Sequence, residues 1–540
     1  MNNKRAQMLK IPQFQKLQKA ELKLWFFAFM GLCLCFSPLL FNFIWGNHDW
    51  MPLISDNPLK GGLIEGRYSQ YILLNLLLMG KILPILNTLI GFLLYSLALL
   101  LLCTRFFKFS IHKLSIPFLI AVATLPYITE ITYFQFIVFS QLSWPLIITF
   151  SLLAAQKSLS SPHYIAYTLL SAILLSLALG GYPACINMYV TAGMLWLIKQ
   201  TKNSSSFKKL LFTALPYATS IIFAFISLYF IYNWLQNHHL MMKLYNNQVA
   251  SPYDLLSKLI PSMGISIKSL LQPLPFLSLA LKLIIFTIFA LFIITEMPSY
   301  KKYQKLTFGG MLCILLLCLK FSSWLANENP KDYLSINDPA KYMIRADFYA
   351  IPCLMLYALN TIATHKQKLL HNISYILASC LIFININNNI TYCKTSLLGF
   401  KAEALLQERI NNRIHEDKRY LRNNYYTIVQ TGDLPLRHRY YLKNPLEKYG
   451  YYTLNAAYSR FWVPAEYYNF FEPTAFVKNG GPIHPNDINT PIIDFVKYEV
   501  KLWPALNAIY LDDKYAIIVL SPTGKNSLKK QFQQIEGSLQ

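Results

Sequence analysis

The chain has 540 residues, of which 54% are hydrophobic and only 14% charged, and its mean hydropathy is +0.34. A soluble globular protein carries about 25% charged residues, so this density cannot clothe a water-facing surface; a soluble enzyme is excluded, along with disordered, collagenous and disulfide-scaffold classes. The net charge of +24, from 49 Lys and Arg against 25 Asp and Glu, fits the basic cytoplasmic loops of a membrane protein and not nucleic-acid binding.

Apolar runs of about 18 to 25 residues, the length that crosses a bilayer core, recur along the chain. Residues 1–24 form a basic segment with Lys4, Arg5, Lys10, Lys16, Lys19 and Lys23, and an apolar run follows from Trp25 to Trp45. That run is too long for the core of a signal peptide and no small-x-small site follows it, so it reads as an anchoring first span with a cytoplasmic N-terminus. Further spans are predicted near 84–103, 114–127, 136–155, 164–180, 184–199, 210–234, 274–296, 307–326, 346–363 and 373–389, which makes about eleven in a bundle over 25–389. Arg105, Lys108 and Lys113, then Lys199, Lys202, Lys208 and Lys209, then Lys301, Lys302 and Lys305, then Lys366 and Lys368 fall on one side of this arrangement, which the positive-inside rule makes the cytoplasm. An odd number of spans puts the C-terminus outside.

Residues 390–540 change character, with dense charge, Tyr, Pro and Asn and no run long enough to span. Ala402 to Ile414 reads as an amphipathic helix, Tyr425 to Gln430 as a strand ending at Thr431-Gly432-Asp433, and Ala516 to Leu520 as another strand. An extracytoplasmic (periplasmic) α/β domain is expected here. Its aromatics Tyr440, Tyr441, Tyr449, Tyr451, Tyr452 and Trp462 suit either sugar stacking or a small core. Outer hydrophilic loops are expected at 46–83, 235–273 and 327–345, whereas the inner loops are short and basic. Chemistry therefore belongs on the outer face.

Eight of the nine cysteines lie in or at the edge of apolar runs and Cys393 sits just after one, so neither a disulfide framework nor a zinc spacing is expected. The sequence contains no P-loop, nucleophile-elbow or HExxH pattern, which argues against a nucleotide-driven pump and the corresponding hydrolases. Adjacent His238 and His239 point apart on any regular element, so they make a poor metal pair.

The window from Gly46-Asn47-His48-Asp49-Trp50 through Asp56 to Glu65-Gly66-Arg67-Tyr68 places carboxylates just beyond the first span. A lipid phosphate and a water-soluble hydroxyl can meet at that depth. A carboxylate there can act as general base on an acceptor hydroxyl, and an Arg can neutralise a phosphate leaving group; solvation of a loop is the competing reading of His48, Asp49 and Asp56. From Arg67 to Leu83 the apolar stretch is interrupted by Gln70, Asn75, Gly80 and Lys81, as suits a helix along the interface or one buried in the bundle. Glu130, beside Tyr127 in the next outer turn, is nearly the only charge between 114 and 156, and an ionisable group at membrane depth is a functional candidate or a helix cap. Tyr182, in the tight turn Gly180-Gly181-Tyr182-Pro183, could stack on a sugar or serve as an interfacial aromatic. Lys341 and Arg345 open a later span, as phosphate ligands or as snorkelling side chains.

In this order, HDW…EGRYSQYILLNLLLMGKILPILNTLIGFLL resembles the first outer loop of the bacterial and phage O-antigen glucosyltransferase family of type II, with its acidic pair and Gly-Arg element heading an interfacial helix. LPYITEITYFQFIVFSQLSWPL is similar to that family's Pro-Tyr…Glu turn, ALGGYPACINMYV to its Tyr-centred hairpin, and AEALLQERINNRI…YYTIVQTGD to its helix-strand-Gly element. The resemblance implies a GT-C fold, a polytopic helical bundle with a soluble outer domain in the bacterial inner membrane. It implies transfer of glucose from undecaprenyl-phosphate glucose to O-antigen or another surface glycan on the periplasmic face. Residue by residue it implies Asp49 for the second acidic position, Arg67 for the Gly-Arg element and Glu130 for the outer-turn carboxylate. On the chemistry of the residues themselves, Asp49 is the candidate catalytic base and Glu65 a further catalytic carboxylate, with Arg67 at the donor phosphate helped by Arg345 or Lys341. His48 stands where the family commonly has its first Asp, and a His/Asp pair binds a divalent cation such as Mg or Mn differently from two carboxylates. Two other classes suit the same features: an O-antigen polymerase or ligase, and a lipid-linked sugar flippase or transporter, for which charged or broken helices near the midplane would be expected.

Overall fold

The structure is a computed structural model that describes residues 17–42, 63, 67–78, 83–111, 115–132, 138–202, 207–240, 278–300, 302–319, 321, 339–365, 367–420, 427–431, 490–520 and 522–539. In hydrocarbon a backbone must satisfy its own N–H and C=O groups, which an apolar run does by forming a helix. The helices are α1 (Lys19–Cys35), α2 (Ser37–Phe41), α3 (Tyr68–Leu78), α4 (Pro84–Leu101), α5 (Ser115–Ala123), α6 (Thr129–Thr132), α7 (Val138–Ser158), α8 (Tyr164–Gly181), α9 (Ile186–Thr201), α10 (Phe207–Asn237), α11 (Leu279–Glu296), α12 (Lys302–Cys318), α13 (Pro339–Ala363) and α14 (Lys368–His415). Each predicted span position carries one of these helices. By length and composition, 7 stretches among the described residues can cross a membrane: Ile85–Phe106, Val138–Ser158, Tyr164–Gly181, Lys208–Asn237, Leu279–Ser299, Ala346–Ala363 and Lys368–Lys394. Ile116–Ile128 and Gln304–Cys318 are shorter apolar helices, so the crossings shown are fewer than the predicted eleven.

Helix α7 packs between α4 and α8, and α13 lies against α5, α9, α11 and α14. The span of α13 is buried almost throughout, while those of α10 and α14 are mostly exposed. Large aromatics fill the core, among them Phe92, Trp144, Tyr189, Phe292 and Tyr349. The basic end of the bundle is closed by two ion pairs on buried carboxylates: Arg105 meets Glu21 at 2.7 Å and Lys202 meets Glu296 at 2.7 Å.

The predicted last span and the predicted amphipathic helix at 402–414 form one helix, α14, of 48 residues, and the predicted domain boundary at 390 falls inside it. The reason lies in its asparagines. Asn385 Nδ2 donates to Ala121 O at 2.8 Å and Asn389 Nδ2 to Thr124 O at 2.8 Å, satisfying carbonyls at the end of α5 where the chain turns at Pro126. Hydropathy therefore falls while the helix continues.

Beyond α14, strand β1 (Thr427–Thr431), helix α15 (Thr490–Asp494), strands β2 (Ile509–Leu511) and β3 (Tyr515–Val519) and helix α16 (Pro522–Leu539) follow. The sheet order is β1-β3-β2, with β1 parallel to β3 in the register Thr427↔Tyr515 and β2 antiparallel to it. Both predicted strands thus exist, and they pair with each other. Leu528 and Phe532 of α16 pack with Ile517, Val519 and Phe495. Arg413, near the end of α14, donates to Pro504 O at 2.6 Å and Ala505 O at 3.2 Å, and lies 4.9 Å from the Trp503 ring centroid. This contact ties the long helix to the sheet unit.

Candidate functional site

The site is built at the end of the bundle opposite the ion pairs. Arg67 immediately precedes α3 and its carbonyl accepts the Tyr71 N–H at 3.1 Å, so it heads the helix as the Gly-Arg reading predicts. Helix α3 has a buried and an exposed face: Tyr68, Ser69, Gln70 and Leu74 are buried, while Ile72, Leu76 and Leu77 are exposed. The buried face lies on α7 and α8. Tyr68 donates through its hydroxyl to Ser176 O at 3.1 Å and meets Tyr232 edge-on at 6.5 Å.

The Gly-Gly-Tyr-Pro turn explains how α8 accepts these neighbours. A Cβ on Gly180 would fall within the Tyr68 ring, and one on Gly181 within the indole of Trp144, so two consecutive glycines let two aromatic rings reach the helix backbone. The turn then holds Tyr182 through its N–H to Ala178 O at 2.9 Å, with Cys185 N–H donating to Tyr182 O at 3.0 Å. The Arg67 guanidinium carbon lies 5.5 Å from the centroid of the buried Tyr182 ring, a cation–π distance. Two residues singled out separately in the sequence are thereby brought together.

On its far side Tyr182 meets Tyr349 of α13, with ring centroids 6.3 Å apart. The Tyr349 hydroxyl donates to Gln141 Oε1 at 3.1 Å and lies 3.3 Å from Gln141 O. Gln141 is 1% exposed, as is Trp144 one turn later on the same face of α7. Among the described residues neither Gln141 Nε2 nor Trp144 Nε1 has a hydrogen-bond partner, and each buried N–H left unmade costs about 1–3 kcal/mol.

Asp347, two residues before Tyr349 and on another side of α13, is 4% exposed and interacts electrostatically with the buried Tyr127 in the turn Pro126–Ile128. Sequence reasoning missed Asp347, Gln141, Trp144 and Tyr349. For Asp347 the signal existed: a carboxylate inside the predicted 346–363 span, open to the argument applied to Glu130. The other three sit in apolar runs with nothing local to distinguish them.

The backbone of Glu130 lies in α6 and those of Lys341 and Arg345 in the first turns of α13; their side chains lie outside the described residues. His48, Asp49, Asp56 and Glu65 also lie outside the described residues, and with them the residues that would hold a divalent cation. His238 Nδ1 lies 2.8 Å from Trp234 O, its ring against the Trp234 ring. Among the described residues no three His, Cys, Asp or Glu side chains form a metal-binding group.

Against known proteins, the family model described as Glucosyl transferase GtrII matches residues 38–385, a stretch that holds every candidate site residue. No curated protein matches the chain. Among solved structures, the chain is similar to the archaeal oligosaccharyltransferase AglB from Archaeoglobus fulgidus in complex with an inhibitory peptide and a dolichol-phosphate, at 13% identity and a TM-score of 0.33. That alignment covers 79% of this chain and 60% of the other, so this chain spans under two thirds of that protein's length.

Proposed function

Because this chain belongs to the glucosyl transferase GtrII family, we propose that it transfers a single sugar, glucose, from an undecaprenyl-phosphate-linked donor to the repeat units of O-antigen or another surface glycan. The reaction takes place on the periplasmic face of the bacterial inner membrane. The bundle is read as a GT-C arrangement of about eleven spans with a cytoplasmic N-terminus, and residues 390–540 lie on the periplasmic side.

The observation that carries this reading is Arg67 at the head of α3 with its guanidinium over Tyr182, inside the family-matched stretch and at the end of the bundle away from the basic loops. An Arg in that place can bind a phosphate bidentately, and an adjacent aromatic face can receive a sugar. The step is a displacement at the anomeric carbon. Asp49 takes the proton of the acceptor hydroxyl, the acceptor oxygen bonds to the anomeric carbon, and the polyprenyl phosphate leaves with the electron pair of the broken bond, its charge met by Arg67 with Arg345 and Lys341. Glu65 is a further catalytic carboxylate of the loop, and His48, Asp56, Glu130 and Tyr127 complete the polar surroundings. A divalent cation such as Mg or Mn, were one bound, would neutralise phosphate charge.

The test is the mass of the O-antigen repeat in cells with and without the protein. A gain of one hexose per repeat is expected; an unchanged repeat mass with altered chain length would instead favour a polymerase or ligase, and no change a transporter.

A further inference from the structure

Among the described residues, two N–H donors on one helix are buried without partners. Gln141 and Trp144 are three residues apart on α7 and so share a face, and the Tyr349 hydroxyl donates to Gln141 Oε1 at 3.1 Å. Its Nε2 has no acceptor among the described residues. The six-membered ring of the Trp144 indole lies against Gly181 through its Cζ2, Cε2 and Cη2 edge, so the side chain that carries the second donor sits beside the residue preceding Tyr182. Gln141 is thus linked to Tyr182 through Tyr349 and Trp144 through Gly181, and the Tyr182 ring lies 6.3 Å from that of Tyr349 and 5.5 Å from the Arg67 guanidinium carbon.

We infer that Gln141 Nε2 and Trp144 Nε1 form a hexose subsite beneath Arg67, donating to hydroxyl oxygens of the donor's sugar once the Tyr182 ring turns aside. The inference rests on the lipid-phosphate-linked donor read above and assigns the two parts of that donor to different groups. The cationic Arg67 suits the phosphate. The neutral donors, with the Trp144, Tyr182 and Tyr349 rings around them, suit an uncharged polyhydroxyl ring, because neutral N–H groups match hydroxyl acceptors and aromatic faces match the apolar face of a sugar. Gln141 and Trp144 are then specificity-determining residues for the sugar.

The experiment measures equilibrium binding to the detergent-solubilised full chain of two probes, a short-chain polyprenyl phosphate and the same lipid carrying glucose. The unsubstituted protein is expected to bind the glucosyl lipid more tightly. Gln141→Met and Trp144→Phe should each weaken the glucosyl lipid about three- to tenfold, the effect of one neutral hydrogen bond, and leave the bare lipid phosphate unchanged. Deoxyglucosyl lipids give a measurement independent of whether the variants fold: one of them should bind the unsubstituted protein less tightly by the same factor, and Gln141→Met should be indifferent to that change. Full retention of the glucosyl preference in both variants would overturn the subsite and leave the two donors to bound water. Failure of the unsubstituted protein to bind either lipid would overturn the donor reading beneath it, and the subsite with it.

Discussion

The ring of Tyr68 occupies the space that any side chain at position 180 would need, so α3 reaches α8 through a glycine. Gly180→Ala and Gly181→Ala should each cost about 1–3 kcal/mol, the usual penalty of overpacking, and lower the thermal unfolding midpoint of the purified protein. Gly180→Ala should also reduce transfer, because Tyr68 adjoins Arg67 in the chain. A variant with unchanged midpoint and activity would show that α3 is not seated on α8.

Arg67→Ala should lower kcat/KM for the lipid-linked sugar by about 100-fold or more, as loss of one donor to developing charge commonly does. Arg67→Lys keeps the charge but loses the fork geometry and should fall between. Steady-state kinetics with a polyprenyl-phosphate glucose donor check both.

Asp49→Asn should abolish transfer while membrane abundance, read by immunoblot, stays the same. Retained activity would move the base to Glu65 or Glu130.

At the other end of the bundle, Arg105→Met should destabilise more than the double variant with Glu21→Gln. The single change strands a buried carboxylate, whereas the double change removes both charges. Partial exposure of the Arg105 side chain, at 26%, reduces the size of this difference, which a double-mutant cycle on unfolding midpoints measures directly.

Outside the spans, Arg419 grips Asp417 at 2.7 Å and 3.0 Å, and this hydrogen-bonded pairing holds the Asp417 carboxyl below its ordinary range. A carboxylate depressed in the folded state adds stability above its unfolded value and loses it as pH falls through the folded one. Asp417→Asn should therefore weaken the protein slightly at neutral pH, by well under about 1 kcal/mol for so exposed a pair. The difference should vanish on acidification of the unfolding assay.

Helix positions were legible because hydropathy is local: a run of apolar residues is helical in lipid whatever surrounds it. The junction of the last span with the following helix was not, since Asn385 and Asn389 read as polar interruption until the carbonyls of Ala121 and Thr124 are placed beside them. The site was legible in part. Arg67 and Tyr182 could each be picked out as a cation and an aromatic at predicted outer turns, but their contact could not. Tyr349 reaches Gln141 across 208 positions of sequence, and only tertiary packing brings the two together.

Helix α14 has one further consequence. At about 1.5 Å per residue, its 48 residues have a contour of about 72 Å, more than twice the roughly 30 Å of a bilayer core. The part past Lys394 runs about 30 Å before Arg413 clasps the Trp503 turn. That stretch is a mast, and the distance at which the sheet is carried from the bundle is counted in residues: inserting seven, close to two full turns, should move the sheet about 10 Å along the helix axis with little rotation, while deleting seven should draw it in by the same amount.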